Sequence, residues 1–493
     1  MEIYNSLTKK IEEFKTGDSG PKTIIMYTCG LTPYDSAHIG HARTYVAFDI
    51  IKRYLVKKGH KIYHIQNITD VDDKIIKRCK ETGSDPKKLT ETIHTEALEL
   101  FDKLNIMRAD VYPKVTDNIP EIIDAIKKLI QNGFAYETAS GVYYSVSKFK
   151  NYGKLSGQKL DEVKSGARVE VDETKKAAED FAVWKKTNNE IIEFDSPWGR
   201  GRPGWHIECS AMAEKYAKGT LDIHGGGRDL IFPHHENEIA QSEAAFDHKF
   251  AKIWVHTGPL TVNGEKMSKS LGNFVTLKEA TNKFDANAIR MFFTQTHYRS
   301  SMDYNEDTLT AAQESVERIL NSIGLLEESL SKKDKKHDKT DEKFVQESNK
   351  LIEQFYNSMD SDFDTPNAIA ASFGLVKLVN SHVSKDMVDI KQLKKVNEKM
   401  NSMVEIFGFV EKKSDVSFKI DELKKLAKDI ELNYGISIDN ESSAEILISE
   451  ITNARESLRK AKNYSASDDI RNKLAFMGIL LEDSSGGIRK KIK

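Results

Sequence analysis

The chain has 493 residues, of which 39% are hydrophobic and 30% are charged, and its formal net charge is −2. This length predicts two to four domains, and the composition is that of a globular protein with enough apolar residues to build a core. A net charge so close to zero excludes binding to a nucleic acid through bulk charge alone, so an RNA-binding function would need a local basic face.

A secreted or membrane-bound protein is not expected. No run approaches the roughly 18 apolar residues that a membrane span needs, and the N-terminus lacks the basic start and apolar stretch of a secretory signal. Three cysteines, Cys29, Cys79 and Cys209, are too few for a disulfide framework in a chain of this length. We therefore expect a cytoplasmic protein that contacts no membrane.

The N-terminal part of the chain predicts a parallel sheet. An apolar, β-branched run at Thr23–Thr28 indicates a buried strand, residues 42–58 show helical spacing, and residues 61–69 indicate a second strand. Strand, helix and strand in this order form a βαβ unit with parallel strands. Ligands of such sheets bind beyond the carboxyl ends of the strands, and both Cys29 and the segment 38–41 would lie there.

The rest of the chain predicts a change of architecture. Residues from about 110 to 200 are interpreted as a mixed insertion, and residues 221–223 and 252–256 as strands that return to the sheet. From about Glu306 the apolar pattern becomes helical. The sequence therefore predicts an α/β half followed by a helical half.

Two lysines indicate a phosphate-binding loop. Lys266 and Lys269 lie in the string KMSKS at residues 266–270, shortly after Gly264. Lysine binds phosphate as a point charge, and a loop that carries it can close over ATP and open to release pyrophosphate. An isolated pair with this spacing would more simply be a solvated basic turn.

Two histidines upstream support the interpretation of the lysine loop as a phosphate-binding loop. His38 and His41 bracket Ile39 and Gly40 just before a predicted helix. Helix N-termini attract phosphate through free N–H groups and the helix dipole, and imidazoles can donate hydrogen bonds to a developing oxyanion. Taken alone, these histidines are better explained as capping or surface residues. Together, the two motifs predict a triphosphate held from two sides.

Four further residues form a candidate metal site. Cys29 and Cys209 supply thiols, while His234 and Glu238, four residues apart, would share one face of a helix. Two thiolates, an imidazole and a carboxylate make a plausible zinc shell. Spacing alone favours the alternative, in which the cysteines are merely buried and the His–Glu pair lies on a solvated helix face.

The chain resembles the cysteinyl-tRNA synthetases, a family of class I aminoacyl-tRNA synthetases. Besides the two motifs, the matching strings are CGLTPYD at residues 29–35, NITDVDDK at 67–74, GRPGWHIECS at 201–210, HGGG at 224–227, and residues 232–242 and 266–273. The resemblance is strong over residues 1–305 and continues weakly to the C-terminus. It implies an α/β fold class in which a Rossmann-like parallel-sheet catalytic domain carries an inserted subdomain and is followed by a helical bundle and a small C-terminal domain.

The resemblance also implies domain boundaries. These are 1–110 for the first half of the catalytic domain, 111–200 for the inserted connective subdomain, 201–305 for the second half with the lysine loop, 306–412 for the helical bundle, and 413–493 for the C-terminal anticodon-binding region.

The implied activity is that of a cysteine–tRNA ligase, which uses ATP and L-cysteine to charge tRNA(Cys). The family implies that Cys29, Cys209, His234 and Glu238 bind one Zn²⁺, which takes the thiolate of the substrate and separates cysteine from serine. It also implies Mg²⁺ bound with ATP and no membrane partner, and we expect a monomer.

The family assigns roles to further positions. Catalysis is expected from His38, His41, Lys266 and Lys269, which would also bind ATP together with Asp229 and Ser268, and the amino-acid pocket is expected to contain Thr69, Trp205 and His224. Ordinary core packing stays an alternative for Trp205. His235 and Glu236 would lie behind the ligands or on the surface, and Cys79 would be a helix residue without a catalytic part.

Two other functions stay open at this point. One is a related ligase that joins cysteine to an amino-sugar acceptor, although the region after residue 305 argues against it. The other is a non-catalytic RNA-binding paralogue, which the complete set of histidines and lysines disfavours.

Overall fold

The computed structural model describes residues 1–14, 23–158, 174–268, 271–331, 341–385, 389–410, 420–439, 442–484 and 487–492. The chain divides into two compact units, Met1–Val410 and Glu411–Lys493, and each is treated by itself below. Within the described residues, no helix has both the length and the apolar character that crossing a bilayer requires.

The first unit contains strands and helices in alternation. Its strands are β1 (Glu2–Asn5), β2 (Lys10–Glu13), β3 (Thr23–Thr28), β4 (Lys61–Gln66), β5 (Ala135–Glu137), β6 (Gly141–Tyr144), β7 (Phe181–Lys186), β8 (Gly201–Pro203), β9 (Leu221–Gly227), β10 (Ala251–Thr257), β11 (Leu260–Val262), β12 (Glu265–Lys266) and β13 (Met302–Tyr304). Its α-helices are α1 (Ile39–Lys57), α2 (Asp73–Thr82), α3 (Pro86–Lys103), α4 (Ile119–Gln131), α5 (Trp205–Ala217), α6 (Glu236–Phe246), α7 (Leu277–Lys283), α8 (Ala286–Thr294), α9 (Glu306–Ser331), α10 (Glu342–Asp360), α11 (Thr365–Val383) and α12 (Ile390–Phe407).

The central sheet has four parallel strands in the order β10-β9-β3-β4. Strand β3 has the predicted bounds, and α1 connects it to β4 as expected for a βαβ unit. Strands β4 and β9 flank β3 on opposite sides, so the strand order of the sheet reverses its direction at β3. Such a switch opens a crevice at the carboxyl ends of the strands, between the residues after β3 and the glycines of β9.

Several predicted boundaries differ from the structure. The strand predicted at residues 221–223 extends to Gly227, the strand predicted at 252–256 is one residue longer at each end, and α1 ends one residue earlier than predicted. Two further differences have identifiable local causes. Helix α1 begins at Ile39 rather than at residue 42, because the side chain of His38 accepts a hydrogen bond from the backbone of His41 and caps the helix. Strand β4 ends at Gln66 rather than at residue 69. The backbone of Ile68 instead donates to the carbonyl of Pro113, 2.8 Å away.

The mixed insertion predicted between β4 and β9 is present. Strands β5 to β8 form an antiparallel sheet in the order β5-β6-β7-β8, and Tyr144 and Trp184 of this sheet are fully buried with Leu129 of α4. The boundaries at residues 111 and 200 stay predictions.

The helical pattern predicted from Glu306 is confirmed, since α9 begins at that residue. Buried apolar positions on α9 to α12, including Leu309, Phe355, Leu375 and Val396, belong to the same core cluster as α1 and the central sheet. The helices α9 to α12 and the sheet therefore share one core.

The second unit has its own core. It contains α13 (Ile420–Tyr434), α14 (Ala444–Lys460) and α15 (Tyr464–Phe476), followed by the antiparallel strands β14 (Ile479–Ser484) and β15 (Gly487–Ile492). Leu423, Leu447, Ile451 and Leu474 are fully buried in it. The apolar run predicted near residues 477–481 contributes to β14.

Candidate active site and metal centre

Cys29 lies directly beyond the carboxyl end of β3, at the crevice in the sheet. Its backbone N–H donates to the carbonyl of Gly225 on β9 at 3.1 Å, and its own carbonyl accepts a hydrogen bond from the hydroxyl of Tyr45 at 3.2 Å. The Cys29 side chain is buried. The strand that the sequence predicts thus delivers a fixed thiol to the place where this class of sheet binds ligands.

The other candidate metal ligands come from α5 and α6. Cys209 lies on α5. His234 lies in a π-helical turn, Ile231–His235, that leads into α6, and Glu238 lies on α6. The ligand atoms of Cys29, Cys209, His234 and Glu238 all lie within 4.8 Å of one another, and the four residues are buried. The structure therefore brings together the four residues that the sequence proposed as one site.

Short contacts link three of these four residues. Nε2 of His234 lies 2.7 Å from Oε1 of Glu238, and Sγ of Cys29 lies 3.6 Å from the same oxygen. Two sulfur atoms, a nitrogen and a carboxylate oxygen thus converge in a site that is closed to solvent. Buried ionisable groups at this density require a compensating charge, and a bound metal ion would supply it.

The thiols and the imidazole have strongly shifted pKa values. The neighbouring Cys29 thiol, as a hydrogen-bond donor, lowers the pKa of Cys209 to about 6, whereas burial raises the pKa of Cys29 well above its ordinary value. Burial opposes a charge on His234, but the Glu238 carboxylate outweighs it and raises the pKa of His234 to about 10. Without a metal, the site thus retains a proton on His234 to balance its negative charge.

A second set of donors overlaps the first. Cys29, His224, His235 and Glu238 also have ligand atoms within 4.8 Å of one another. His224, predicted to line the amino-acid pocket, contacts Oε2 of Glu238 through Nε2 at 2.6 Å and the carbonyl of Tyr27 through Nδ1 at 2.9 Å. His224 therefore contacts a candidate ligand, and its role in substrate binding stays a prediction.

Trp205 and Thr69 are the other predicted pocket residues. The ring of Trp205 stacks on the ring of His234 with 4.2 Å between centroids, and 39% of the Trp205 residue is exposed. Thr69 is buried, and its N–H donates to the carbonyl of Leu31 at 3.0 Å, which ties the segment after β4 to the segment after β3. Trp205 can therefore form a wall between the cluster and solvent.

His38 and His41 cap helix α1 reciprocally. Nδ1 of His38 accepts from the N–H of His41 at 3.3 Å, and Nδ1 of His41 accepts from the N–H of His38 at 3.2 Å. The two rings stack with 3.6 Å between centroids. Burial lowers the pKa of His38 to about 4 and that of His41 well below its ordinary value. Each neutral ring that accepts at Nδ1 carries its proton on Nε2, so the capping role predicted as an alternative leaves an N–H donor on each ring.

The lysine loop follows the short hairpin of β11 and β12. Asn273 closes the loop, because its side chain accepts from the N–H of Ser268 at 2.8 Å and donates to the carbonyl of Lys266 at 3.2 Å. Lys269 and Ser270 lie outside the described residues. The contribution of Lys269 to catalysis therefore stays a prediction from the sequence.

The lysine loop and the histidine motif are adjacent in space. The N–H of Ile39 donates to the carbonyl of Val275 at 3.2 Å, so the segment after the loop pairs with the start of α1. A Cβ added to Gly40 would lie 3.7 Å from Cε of Met267. Two motifs more than two hundred residues apart in sequence thus form one surface. Asp229 lies on an exposed 3-10 turn, Arg228–Leu230, after β9, and its contact with ATP stays a prediction.

Sequence reasoning missed two histidines, one that contacts a candidate ligand and one that contacts His235. Nδ1 of His206 lies 2.9 Å from Nδ1 of His234, and Nε2 of His256 lies 2.8 Å from Nδ1 of His235. His235 in turn lies 3.2 Å from Sγ of Cys29 through its Nε2. The available signal was the position of His256 at the carboxyl end of a predicted strand, where ligand-binding residues of parallel sheets concentrate.

Two family models match the chain. Residues 16–314 match the model described as the tRNA synthetases class I (C) catalytic domain, and residues 354–411 match the DALR domain. The first match contains both motifs and all four candidate metal ligands.

Among curated proteins, similar chains span the full length. A cysteine–tRNA ligase of Thermococcus onnurineus is 46% identical over 100% of this chain and 99% of its own length. One from Carboxydothermus hydrogenoformans is 43% identical over 100% of both chains.

Solved structures agree in fold. A methionyl-tRNA synthetase of Mycobacterium tuberculosis bound by methionyl-adenylate superposes with a TM-score of 0.58 at 13% identity, covering 86% of this chain and 96% of that chain. A putative arginyl-tRNA synthetase from Campylobacter jejuni gives a TM-score of 0.56, also at 13% identity, over 79% of this chain and 94% of that chain. At these identities the likeness concerns the fold alone.

Proposed function

Because this chain belongs to the cysteine–tRNA ligase family of class I tRNA synthetases, we propose that Cys29, Cys209, His234 and Glu238 hold a zinc ion against which the sulfur of the cysteine substrate is bound. The chain is a ligase that activates L-cysteine with ATP and transfers it to tRNA(Cys). The observation that carries the zinc proposal is the convergence of these four donors within 4.8 Å in a buried site.

The donor set suits zinc. Zinc takes thiolate, imidazole and carboxylate ligands, usually four in number, and hard cations such as Mg²⁺ prefer oxygen ligands throughout. The low pKa of Cys209, about 6, favours a thiolate at neutral pH. His234 offers Nε2 to the site, while its Nδ1 contacts His206, and such a contact is the usual support of a metal-bound histidine.

The proposed ion explains how the enzyme rejects serine. Serine differs from cysteine by one atom, and shape alone separates such substrates by only about 1–3 kcal/mol, whereas accurate translation needs on the order of 10⁴-fold selectivity, about 5.5 kcal/mol. When bound, zinc would prefer a thiolate over an alcohol and lower the pKa of a thiol beside it. The four ligands, with Trp205 over His234, would therefore form the part of the pocket that distinguishes the sulfur of cysteine from the oxygen of serine.

Activation requires no nucleophile from the protein. A carboxylate oxygen of cysteine attacks the α-phosphorus of ATP, the new bond forms cysteinyl-adenylate, and the bond to pyrophosphate breaks. We assign charge stabilisation in this step to the Nε2–H groups of His38 and His41, with Lys266 and Lys269 on the opposite side. Mg²⁺ bound to ATP would neutralise part of the phosphate charge.

Transfer to tRNA completes the reaction. The resemblance to class I synthetases implies that the 2′-hydroxyl of the terminal adenosine attacks the adenylate carbonyl and that AMP leaves. Binding of the anticodon is assigned to the C-terminal region after residue 412, where unpaired bases can be hydrogen-bonded and stacked. The amino-sugar alternative lacks support, because similarity to cysteine–tRNA ligases covers the entire chain. The monomeric state and the cytoplasmic location stay predictions.

A pair of cysteine variants tests the proposal. Cys209→Ala removes one ligand, and we expect it to lose bound zinc and cysteine-dependent ATP–pyrophosphate exchange. Cys79→Ala is the matched control, because Cys79 is a free cysteine, 3% exposed, in a separate core cluster, and this variant should keep both properties. A Cys209→Ala enzyme with full zinc content and normal exchange would refute the assignment.

A further inference from the structure

Three of the four candidate zinc ligands each contact a histidine outside the ligand set. His206 contacts His234 at 2.9 Å, and His224 contacts Glu238 at 2.6 Å. His235 contacts Cys29 with 3.2 Å between Nε2 and Sγ. Residues behind metal ligands orient them and tune the charge that they donate to the metal, so these contacts bear on function and not only on packing.

The contact with Cys29 continues into a second histidine. Nδ1 of His235 lies 2.8 Å from Nε2 of His256, and the two rings are tilted by 44° with 5.0 Å between centroids. His235 is 0% exposed and His256 is 2% exposed. The two residues come from different elements, the turn before α6 and the end of β10, so this arrangement is fixed by the fold.

The hydrogen-bond directions follow from the chemistry of the groups. A metal-bound thiolate can only accept, so Nε2 of His235 must carry the proton toward Cys29. A neutral imidazole has one N–H, so Nδ1 of His235 must then accept from the N–H of His256. His256 therefore selects the tautomer of His235 that donates to the sulfur.

We propose that His235, held by His256, is a positioning residue that donates a hydrogen bond to the Cys29 thiolate and thereby determines how well the site binds the substrate sulfur. This inference rests on the proposed zinc function. A hydrogen bond to a thiolate withdraws charge from the sulfur, so the metal stays able to accept a further thiolate. The same bond keeps Cys29 turned toward Cys209 and His234.

The competing arrangement makes different predictions. In the second donor set, His235 and His224 would bind the metal themselves together with Cys29 and Glu238. That set contains one thiolate, whereas the proposed set contains two. Cobalt(II) in place of zinc distinguishes them, because each thiolate ligand adds charge-transfer absorption.

Conservative and apolar variants of His235 test the proposal. In His235→Gln, the amide nitrogen can replace the Nε2–H donor, whereas His235→Leu removes the donor. We expect His235→Leu to weaken zinc binding by about 10–100-fold in competition with a chelator, and to raise the KM for cysteine in pyrophosphate exchange without changing the KM for ATP. His235→Gln should stay within about threefold of the wild type on each measure, and its cobalt(II) form should keep the two-thiolate absorption.

Further variants separate positioning from folding. His382→Leu is the matched control, because His382 is a histidine of α11 that is 2% exposed and belongs to none of the donor sets; it should not change zinc affinity. If circular dichroism shows that His235→Leu does not fold, His256→Leu tests the same series of hydrogen bonds one residue further from Cys29. Zinc affinity should again fall.

Three results would overturn the inference. The hydrogen bond has no role if a folded His235→Leu enzyme keeps its zinc affinity and its KM for cysteine. If His235→Leu does not fold, the same result for His256→Leu would show this. A His235→Gln enzyme without metal, or a one-thiolate cobalt spectrum of the wild type, would show that His235 is a ligand. A wild-type enzyme that binds no zinc would instead refute the proposed function itself.

Discussion

The guanidinium of Arg290 on α8 and the carboxylate of Asp49 on α1 form a fully buried ion pair, with 2.6 Å between Nη2 and Oδ2. Arg290 also donates through Nε to the carbonyl of Phe407 at 2.7 Å and through Nη1 to the carbonyl of Leu104 at 2.9 Å. Helix α1 begins at the histidine motif and α8 follows the lysine loop. The pair therefore ties the helices next to the histidine motif and the lysine loop to the end of α12.

Replacing Arg290 by Met should destabilise the first unit. Removing one partner of a buried ion pair typically costs about 3–5 kcal/mol, and the lower value applies here because Arg53 also contacts Asp49, at 2.8 Å. Urea unfolding measures the loss. Lys57→Met breaks the exposed pair with Glu405 and should change stability by less than about 1 kcal/mol. Equal effects of the two substitutions would contradict this account.

Gly225 should not tolerate a side chain. A Cβ at this position would lie 1.9 Å from the carbonyl oxygen of Val255 and 2.8 Å from Cζ of Phe48, so Gly225→Ala must separate β9 from β10, at a cost of about 3 kcal/mol. Gly324→Ala is the control, because a Cβ there meets nothing within 4 Å and alanine suits a helix interior. It should stabilise the chain by about 0.5–1 kcal/mol, as thermal or urea unfolding would show.

Acid should destabilise the chain in a defined window. Burial lowers the pKa of His38 from 6.5 to about 4, so between these values the unfolded chain binds more protons and the free energy of unfolding falls as the pH falls. His38→Asn keeps a capping side chain and removes the titration. At about pH 5, the acid-induced decrease in the free energy of unfolding should be about 2 kcal/mol smaller in this variant than in the wild type. Parallel pH profiles of unfolding for the two proteins would contradict this interpretation.

Lys269→Ala should slow adenylate formation without affecting the metal site. Loss of a charge that stabilises the phosphate groups of ATP in the transition state costs about 10²-fold or more in rate, and the position lies outside the four proposed ligands. Pyrophosphate exchange and zinc content measure the two properties. Lys278→Ala, at an exposed position of α7, is the control. Normal exchange by the Lys269 variant would remove this lysine from the mechanism.

Much of the fold could be predicted because local patterns determine it. The β-branched run of β3 and the apolar spacing of α1 appear where the sequence places them. The start of α1 was missed because a histidine, an unusual capping residue, caps the helix through His38. The end of β4 was missed because the backbone N–H of Ile68 donates to the carbonyl of Pro113, a residue distant in sequence.

The candidate site was predictable only in part. The residue types and the spacing of His234 and Glu238 predicted a candidate site with Cys29 and Cys209, and the resemblance implied that these four residues bind zinc. The fold brings the four together. The contact between His235 and His256 could not be predicted, because it depends on how β10 aligns with the π-helical turn before α6. Sequence spacing describes one element at a time, whereas this contact joins two.

The most direct test of the central claim is a titration of the cobalt(II)-substituted enzyme with L-cysteine and with L-serine, followed by visible absorption. We expect cysteine to add thiolate-to-cobalt absorption in proportion to occupancy, while serine at the same concentrations adds none. An unchanged spectrum at cysteine concentrations that support full pyrophosphate exchange would contradict the claim that the metal selects the substrate through its sulfur.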